Sequence, residues 1–327
     1  MSTITISQTT ASKSDLKVVS YSKIVRGDAD ELDTLRKACE EYGFWYLDLN
    51  SQNGDPISVV QNVPSVFKIV EEFFDLEDAE KTRYDVDEIG PWKLNGYTPF
   101  GRNKGLVGDG KKYGVEGYTF PRDGLCNTDV EGQNFALPQV LKRHSQVLSS
   151  FMNQLHDIGL HVLRALDRTM ANSEAAEDFL ALNHRPSLAS TTCLTAQRYP
   201  LLSEESTNAG LASHTDVGSL TILFCGERGL QVLSPDTKEW QYVEPKEGCA
   251  VINVGDSLRF LSNKSFRSAL HRVVPYPGAT IKNRFSCAYF IRPNLDAEFI
   301  DDDGSSWKSI DWHVRKYKAY RSATTTA

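Results

Sequence analysis

The chain has 327 residues, of which 40% are hydrophobic and 24% are charged, and its formal net charge is −7. This is an ordinary globular composition, long enough for one large domain or two modest ones. An acidic chain without a basic stripe is a poor candidate for nucleic-acid binding. There is no run of about 18 apolar residues, and the polar start MSTITISQTTASKSDL lacks the apolar stretch of a secretory signal, so we expect neither a membrane span nor secretion.

The cysteines are widely scattered and form no CxxC pair: Cys39, Cys126, Cys193, Cys225, Cys249 and Cys287. A disulfide framework is typical of short secreted chains, whereas isolated cysteines in a longer chain are typical of reduced, buried side chains. The pattern favours a cytoplasmic protein.

The N-terminal part predicts alternating strands and helices. Residues 16–50 predict strand, helix and strand, with Asp30 as the helix N-cap, Tyr42 in the last turn and Gly43 ending the helix. The segment FWYLDL that follows is rich in strand-forming residues. A second amphipathic helix is predicted over residues 64–84.

The middle of the chain predicts loops and then a long helix. Residues 85–135 are rich in Gly, Asp, Tyr and Pro, which indicates long loops with short strands, and such loops are often functional. A long apolar pattern of helical period predicts a helix over residues 137–170, and a shorter helix is predicted over residues 174–182.

After residue 185 the pattern becomes short and β-rich, with frequent turn residues between segments. The predicted strands are 188–199, 211–224, 229–234, 239–243, 249–254, 257–261, 267–275 and 283–292. Many short strands with regular turns predict a sandwich or jelly roll. With a terminal helix predicted over residues 307–321, the fold class is α+β.

The first candidate site residues are His214 and Asp216, which head the apolar run VGSLTILF. Residues two apart in a strand face the same side, so both side chains can grip one metal if residues 214–224 form a strand. His271 lies 55 residues beyond Asp216 and must be delivered by the fold. Two histidines and one carboxylate suit Fe(II) and leave positions open for chemistry. Ligand type alone also leaves a catalytic zinc open, whereas a structural zinc would need a fourth protein ligand.

A second pair, Arg284 and Ser286, is again two residues apart and can reach one anion together. Arg284 lies among the apolar residues of NRFSCAYFIRP, where a charged side chain is costly unless it meets an anion. Guanidinium offers a planar fork that matches a carboxylate, and the serine adds a hydroxyl donor.

These motifs, together with EYGFWYLDL, EEFFDLEDAEKTRY and NGYTPFG, resemble the isopenicillin N synthase-like branch of the non-haem Fe(II) dioxygenases, over about residues 17–320. The resemblance implies a helical N-terminal region over residues 1–100. It also implies a double-stranded β-helix (jelly-roll) core with a C-terminal helix over residues 101–327.

The resemblance also implies roles for particular residues. His214, Asp216 and His271 match the iron ligands of the family. Arg284 and Ser286 match the pair that holds the distal carboxylate of 2-oxoglutarate. Tyr199, in QRYP, matches a tyrosine that contacts this co-substrate, while Gln197 stands where many relatives have Asn.

The activity implied is that of an Fe(II)- and 2-oxoglutarate-dependent dioxygenase that uses O2 and releases succinate and CO2. It would oxidise a small natural product, with an aromatic or polyketide-derived molecule favoured, by hydroxylation or by a radical rearrangement such as ring expansion. Neither nucleic acid nor a membrane is an expected partner, and the oligomeric state stays open. Candidate pocket residues are Trp92, Tyr97, Phe100, Tyr118, Phe120, Arg198 and Phe224.

Three alternatives stay open. An oxidase of the isopenicillin N synthase type would need no 2-oxoglutarate and would release no succinate. A metal hydrolase would work without oxygen and with zinc. A non-enzymatic metal-binding module would show no turnover at all.

Overall fold

A computed structural model describes residues 12–51, 53–89, 94–102, 114–126, 136–170, 178–200, 210–274, 276 and 283–322. Its strands are, in chain order, β1 (Val18–Ser20), β2 (Phe44–Asp48), β3 (Gly96–Thr98), β4 (Glu116–Pro121), β5 (Cys193–Pro200), β6 (Leu211–His214), β7 (Leu220–Cys225), β8 (Leu230–Leu233), β9 (Trp240–Tyr242), β10 (Cys249–Val254), β11 (His271–Val273), β12 (Asn283–Ile291), β13 (Glu298–Ile300) and β14 (Ser306–Lys308).

The strands form two main sheets. The larger has eight strands in the order β1-β2-β10-β7-β12-β5-β4-β3, and the smaller has four in the order β6-β11-β8-β9. All neighbouring pairs are antiparallel except β1 and β2, while β13 and β14 form a separate hairpin. Strands on both sides of residue 100 join the large sheet, and the division of the chain into residues 1–100 and 101–327 stays a prediction.

The α-helices are, in chain order, α1 (Tyr21–Arg26), α2 (Ala29–Lys37), α3 (Ser58–Phe74), α4 (Asp78–Lys81), α5 (Val86–Ile89), α6 (Arg122–Leu125), α7 (Gln139–Lys142), α8 (Ser145–Thr169), α9 (Phe179–Leu182), α10 (Asp256–Leu261) and α11 (Ser309–Ser322). A π-helical turn (Ala38–Tyr42) extends α2, and a 3₁₀ turn (Thr82–Tyr84) follows α4. Among the helices described, none combines the length and the apolar character that crossing a bilayer requires.

Helix α2 begins two residues earlier than the sequence predicts. Asp28, not Asp30, is its N-cap, because the Asp28 carboxylate accepts a hydrogen bond of 3.0 Å from the backbone N–H of Glu31. The predicted end at Gly43 is confirmed. Gly43 adopts φ 75°, and an added Cβ there would overlap the carbonyl of Arg267.

Three other boundaries differ from the prediction. The second helix is α3, which contains Pro64 in its interior rather than starting there. The long helix is divided into α7 and α8. The segment 257–261, predicted as a strand, belongs to helix α10, because the Gly-Asp-Ser sequence before it starts a helix rather than a turn between strands.

Helix α8 supports the large sheet by packing on β7 and β12. Its buried face includes Leu155, Val162 and Leu166. At Gly159 the helix approaches the sheet so closely that an added Cβ would overlap Ile291. The helical core therefore covers one face of the large sheet and leaves the other face toward the small sheet.

Two histidines that the sequence leaves without a role are buried in this core. The side chain of His156 bonds the hydroxyl of Tyr289 at 3.2 Å, and burial lowers the pKa of His156 to about 3. His184 donates from Nδ1 to the carbonyl of Leu180 at 2.6 Å, and burial lowers its pKa to about 4. Both imidazoles are therefore neutral in the folded protein near neutral pH.

We expect the free energy of unfolding to fall as the pH is lowered from 6.5 toward 4, because the unfolded chain protonates His156 and His184 while the folded chain does not. Each histidine should contribute about 1.4 kcal/mol of lost stability per pH unit in this interval. His156→Gln should make the dependence shallower by about one such increment. Denaturant unfolding of wild type and His156→Gln at several pH values above and below 6.5 gives the two pH dependences. Above pH 6.5 the difference in free energy of unfolding between the two proteins is the packing cost of the substitution alone. An identical slope in the variant would contradict the assignment.

Candidate active site

His214 and His271 are neighbours across the small sheet. His214 is the last residue of β6, His271 is the first residue of β11, and the two are paired in the register of these strands. Their ring centroids are 4.3 Å apart. His271 Nδ1 lies 3.2 Å from the carbonyl of Ala269, which makes Nδ1 the donor and leaves Nε2 free as a ligand atom.

Asp216 lies in a turn and not in a strand. The predicted strand 211–224 is interrupted between β6 and β7, so the same-face argument for His214 and Asp216 does not describe how they meet. The turn nevertheless brings Asp216 Oδ1 to 3.6 Å from His214 Nε2 and to 3.7 Å from His271 Nε2. One donor atom from each of the three residues lies within 4.8 Å of the other two.

The second oxygen of Asp216 is already engaged. Thr221 Oγ1 donates to Asp216 Oδ2 at 2.6 Å, and Asn253 Nδ2 donates to the same oxygen at 2.8 Å. The carboxylate is thereby held in one orientation, with Oδ1 directed toward the two imidazoles. Thr221 and Asn253 are site residues that sequence reasoning missed.

The turn that carries Asp216 is held by the segment NVGDS, residues 253–257. The backbone N–H of Asp256 donates to the carbonyl of Asp216 at 2.7 Å, and Ser257 Oγ donates to the carbonyl of Val217 at 2.8 Å. An added Cβ at Gly255 would overlap the carbonyl of Gly218.

The carboxylate of Asp256 is the centre of a partly buried polar network. Its carboxylate accepts from Ser268 Oγ at 2.8 Å and from Thr215 Oγ1 at 3.3 Å. Lys316 Nζ lies 3.0 Å from the same carboxylate. The C-terminal helix α11 is therefore tied to the turn between His214 and Asp216.

The electrostatics of the three residues suit metal binding. Burial alone would raise the pKa of Asp216, but the two histidines outweigh it and hold the pKa of this carboxyl well below its usual range. Burial, followed by the nearby His214, lowers the pKa of His271 to about 4. A charged carboxylate and a neutral imidazole are the forms that bind a metal.

Arg284 and Ser286 lie on β12, paired in register with Tyr199 and Gln197 of β5. The Arg284 side chain is 6% exposed and stacks over the Tyr199 ring at 4.9 Å. Its Nε donates to the carbonyl of Arg228 at 3.1 Å. Its Nη1 and Nη2 are buried without a hydrogen-bond partner among the residues that the structure describes. Two aligned, unsatisfied guanidinium N–H groups are suited to a carboxylate.

Gln197 joins the residues of this second group. Its Oε1 accepts from Tyr199 Oη at 2.8 Å and lies 3.4 Å from Ser286 Oγ. Burial raises the pKa of Tyr199, and the Arg284 charge partly offsets that shift, so the phenol stays protonated and able to donate. The structure thus places Tyr199, Arg284 and Ser286 together, and Gln197 lies between the hydroxyls of Tyr199 and Ser286.

A cavity of about 590 Å³ opens beside His214 and Asp216. Gln197 lines it, whereas Arg284 and Ser286 are buried and are not among its lining residues. The apolar part of the wall is formed by Val115, Leu211, Val217, Leu270 and Phe290. The helix α11 contributes Lys316 and Tyr317.

Most of the predicted pocket residues lie elsewhere. Tyr118 and Phe120 pack in the core near Phe73, and Arg198 pairs with Glu116. The positions of Tyr118, Phe120 and Arg198 are therefore explained by packing and ion pairing. Trp92 lies outside the residues that the structure describes.

Two histidines from the small sheet and a nearby carboxylate at one cavity form the ligand pattern that is typical of the mononuclear non-haem iron oxygenases. Two family models match the chain accordingly. The 2OG-Fe(II) oxygenase superfamily covers residues 179–293, and the N-terminal region of the non-haem dioxygenase in morphine synthesis covers residues 16–138.

Curated relatives span nearly the whole chain. The 2-oxoglutarate-dependent dioxygenase frbH of Dothideomycetidae sp. (strain 11243) is 35% identical over 310 residues, which covers 94% of this chain and 91% of the relative. The 2-oxoglutarate-dependent dioxygenase gloE of Glarea lozoyensis is 34% identical over 317 residues, which covers 96% of this chain and 90% of the relative. The chain therefore belongs to the 2-oxoglutarate- and Fe(II)-dependent oxygenase superfamily.

Solved structures show the same fold. A full-length Neurospora crassa protein in complex with alpha-KG and thymine matches with a TM-score of 0.75 at 24% identity, covering 93% of this chain and 96% of that chain. A putative 2OG-Fe(II) oxygenase family protein from Caulobacter crescentus matches with the same TM-score of 0.75 at 22% identity, covering 94% and 99%. The predicted α+β jelly-roll fold is confirmed.

The predicted family and activity are confirmed as well. The protein is an Fe(II)- and 2-oxoglutarate-dependent dioxygenase, an oxidoreductase that uses O2, and this reading prevails over the alternatives. The residues at the site fit both Fe(II) and 2-oxoglutarate. Two neutral imidazoles and one carboxylate are ligands that Fe(II) accepts, and the unsatisfied guanidinium of Arg284 is suited to a dicarboxylic co-substrate.

Proposed function

We propose that His214, Asp216 and His271 hold the Fe(II) ion. The observation that carries the proposal is the convergence of three donor atoms within 4.8 Å of one another, from residues far apart in sequence. The engagement of Asp216 Oδ2 by Thr221 and Asn253 supports monodentate binding through Oδ1. Such a set leaves part of the coordination sphere open.

We propose that Arg284, Ser286 and Tyr199 bind 2-oxoglutarate. Arg284 would receive the distal carboxylate in its two unpartnered N–H groups, and Ser286 would donate its hydroxyl to the same group. Gln197 Oε1 accepts from the Tyr199 hydroxyl, and the Ser286 hydroxyl, which lies 3.4 Å from the same oxygen, would turn its one proton to the co-substrate. When bound, iron, O2 and 2-oxoglutarate supply the oxidising power, with release of succinate and CO2. The surrounding residues orient the co-substrate and exclude water.

We propose a small natural product as the substrate, with an aromatic or polyketide-derived molecule favoured. The apolar wall of the cavity suits such a compound, and the N-terminal family model takes its description from morphine synthesis, which is natural-product chemistry. Hydroxylation or a radical rearrangement such as ring expansion would follow. A cytoplasmic location is also proposed, supported by the free state of the cysteines.

The test is a search for turnover with purified protein, Fe(II), 2-oxoglutarate and a panel of natural-product-like compounds. We expect succinate release that needs oxygen and rises on addition of one compound class, with a matching product mass gain or rearrangement. Omitting 2-oxoglutarate, omitting oxygen and replacing iron by zinc should each abolish the product. Product formed without 2-oxoglutarate would contradict the proposed co-substrate site, and product formed with zinc under nitrogen would contradict the iron chemistry.

A further inference from the structure

Strand β12 presents cations at both ends of one face. Its odd-numbered residues, such as Tyr289 and Ile291, belong to the helical core. Its even-numbered residues face the site, with Arg284 at the start of the strand and Phe290 near its end. Arg292 directly follows the strand and, like Phe290, lines the cavity. Eight residues in extended conformation place the two arginines roughly 26 Å apart along the strand.

The Arg292 side chain is held from one edge. Its Nη1 donates to the carbonyl of Thr191 and lies 3.1 Å from Cys193 Sγ. Its Cγ would be only 2.8 Å from an added Cβ at Gly218, so the stem of the arginine crosses the turn that carries Asp216. The guanidinium is therefore fixed at the metal-side wall of the cavity and is not a freely mobile surface group.

The charge of Arg292 has no counter-ion in the described part of the chain. No carboxylate lies within ion-pair distance of Arg292 there, and its Nε is buried without a hydrogen-bond partner. A partly desolvated guanidinium with an unsatisfied donor is costly unless a ligand supplies an acceptor.

The other charged groups of the cavity are already paired. Glu116 accepts from Lys81 Nζ at 3.1 Å and from Arg198 Nε at 2.7 Å. Lys316 is paired with Asp256 at 3.0 Å. Asp216 faces the two histidines. Arg292 is thus the cation of the cavity wall that an incoming anion would meet without breaking an existing ion pair.

We propose that Arg292 determines substrate specificity by pairing with a carboxylate of the substrate. The substrate is then an organic acid with an apolar body, which lies along Phe290 and Leu270 while its carboxylate meets Arg292. One strand would orient both reactants, with the co-substrate carboxylate at Arg284 and the substrate carboxylate at Arg292. This inference rests on the proposed iron and 2-oxoglutarate sites and names the chemistry of the substrate for that same cavity.

The test uses benzoate as a small aromatic acid and benzamide as its neutral counterpart. Protein loaded with Fe(II) and saturated with 2-oxoglutarate is titrated without oxygen in a calorimeter, so that Arg284 is occupied and no turnover occurs. We expect benzoate to bind the wild-type protein at least tenfold more tightly than benzamide. Arg292→Gln should weaken benzoate binding at least tenfold, and Arg292→Lys should have an intermediate effect because it keeps the charge but loses the planar fork.

Arg259→Gln is the matched control, because it is the same substitution at an arginine that lies outside the cavity and is paired with Asp302 at 2.8 Å. It should change benzoate binding less than threefold. Equal benzoate binding by wild type and Arg292→Gln, no preference over benzamide, or no benzoate binding at all would overturn the proposal. A titration of each variant with 2-oxoglutarate shows whether the variant is folded. The same titration separates the proposal for the co-substrate site from the proposal for Arg292. Failure of wild-type protein to bind 2-oxoglutarate contradicts the co-substrate site, whereas intact 2-oxoglutarate binding with indifferent benzoate contradicts only the role of Arg292.

Discussion

Replacement of Asp216 by alanine is expected to abolish iron-dependent turnover and to weaken Fe(II) binding by more than about 100-fold. Loss of an outer partner of a metal ligand typically costs roughly 10–100-fold in affinity or activity, and Asp216 would be the ligand itself. It is also the only anionic member of the set, so its removal leaves two neutral imidazoles to bind a divalent cation. Anaerobic Fe(II) titration and the succinate assay measure the two effects.

Asp302→Ala is the matched control for this variant. Asp302 is an exposed carboxylate that pairs with Arg259 at 2.8 Å, and it is not one of the three candidate ligands. It should bind iron and release succinate as the wild type does. Thermal unfolding of both variants without metal separates loss of the ligand from loss of the fold. Full iron-dependent activity in Asp216→Ala would remove Asp216 from the ligand set.

The sequence predicted which residues meet at the site better than it predicted how they meet. Residue type, order and resemblance predict His214, Asp216 and His271, and the structure brings these three residues together. The prediction that His214 and Asp216 lie on one strand was wrong, because β6 ends at His214 and Asp216 lies in the turn that follows. That turn is held by residues 253–257, and a contact between segments so far apart leaves no periodic signal in either one.

The same limit explains the outer partners of Asp216. Thr221 is the second residue of β7, and Asn253 lies in the neighbouring strand β10 with which it pairs. Each looks in sequence like a polar residue in an apolar strand. Only the register of β10 against β7, Asn253 opposite Thr221, shows that both side chains reach one carboxylate oxygen.

The pocket was predicted less well than the ligands. Aromatic residues such as Tyr118 and Phe120 were natural candidates, but they face the helical core beside Phe73. Tyr118 and Phe120 lie on strand β4, which is buried at nearly every position, so alternation along it does not tell the cavity face from the core face. Arg284 was easier to predict, because a cation between apolar residues indicates an anion on either face.

Replacement of Arg284 by alanine is expected to weaken 2-oxoglutarate binding by about 2–5 kcal/mol, the range for truncating one partner of a buried charge pair. By the usual conversion this is roughly 30-fold to several thousand-fold in the dissociation constant. The effect should be large because Arg284 is 6% exposed and both of its terminal nitrogens lack a hydrogen-bond partner in the described chain. Titration of 2-oxoglutarate into iron-loaded protein without oxygen gives the constant directly, and iron binding should be unaffected.

Two further variants decide whether the co-substrate is bound by the paired N–H donors of Arg284 or only by the positive charge of the region. Arg284→Lys keeps the charge but loses the planar pair of donors, so we expect it to recover only part of the lost affinity. Arg228→Ala removes a neighbouring exposed cation that is already paired with Glu244 at 2.6 Å, and it should leave 2-oxoglutarate binding nearly unchanged. If Arg228→Ala and Arg284→Ala weaken binding equally, the affinity comes from the general field. If neither does, the distal carboxylate is bound elsewhere, and the role proposed for Arg284 is wrong.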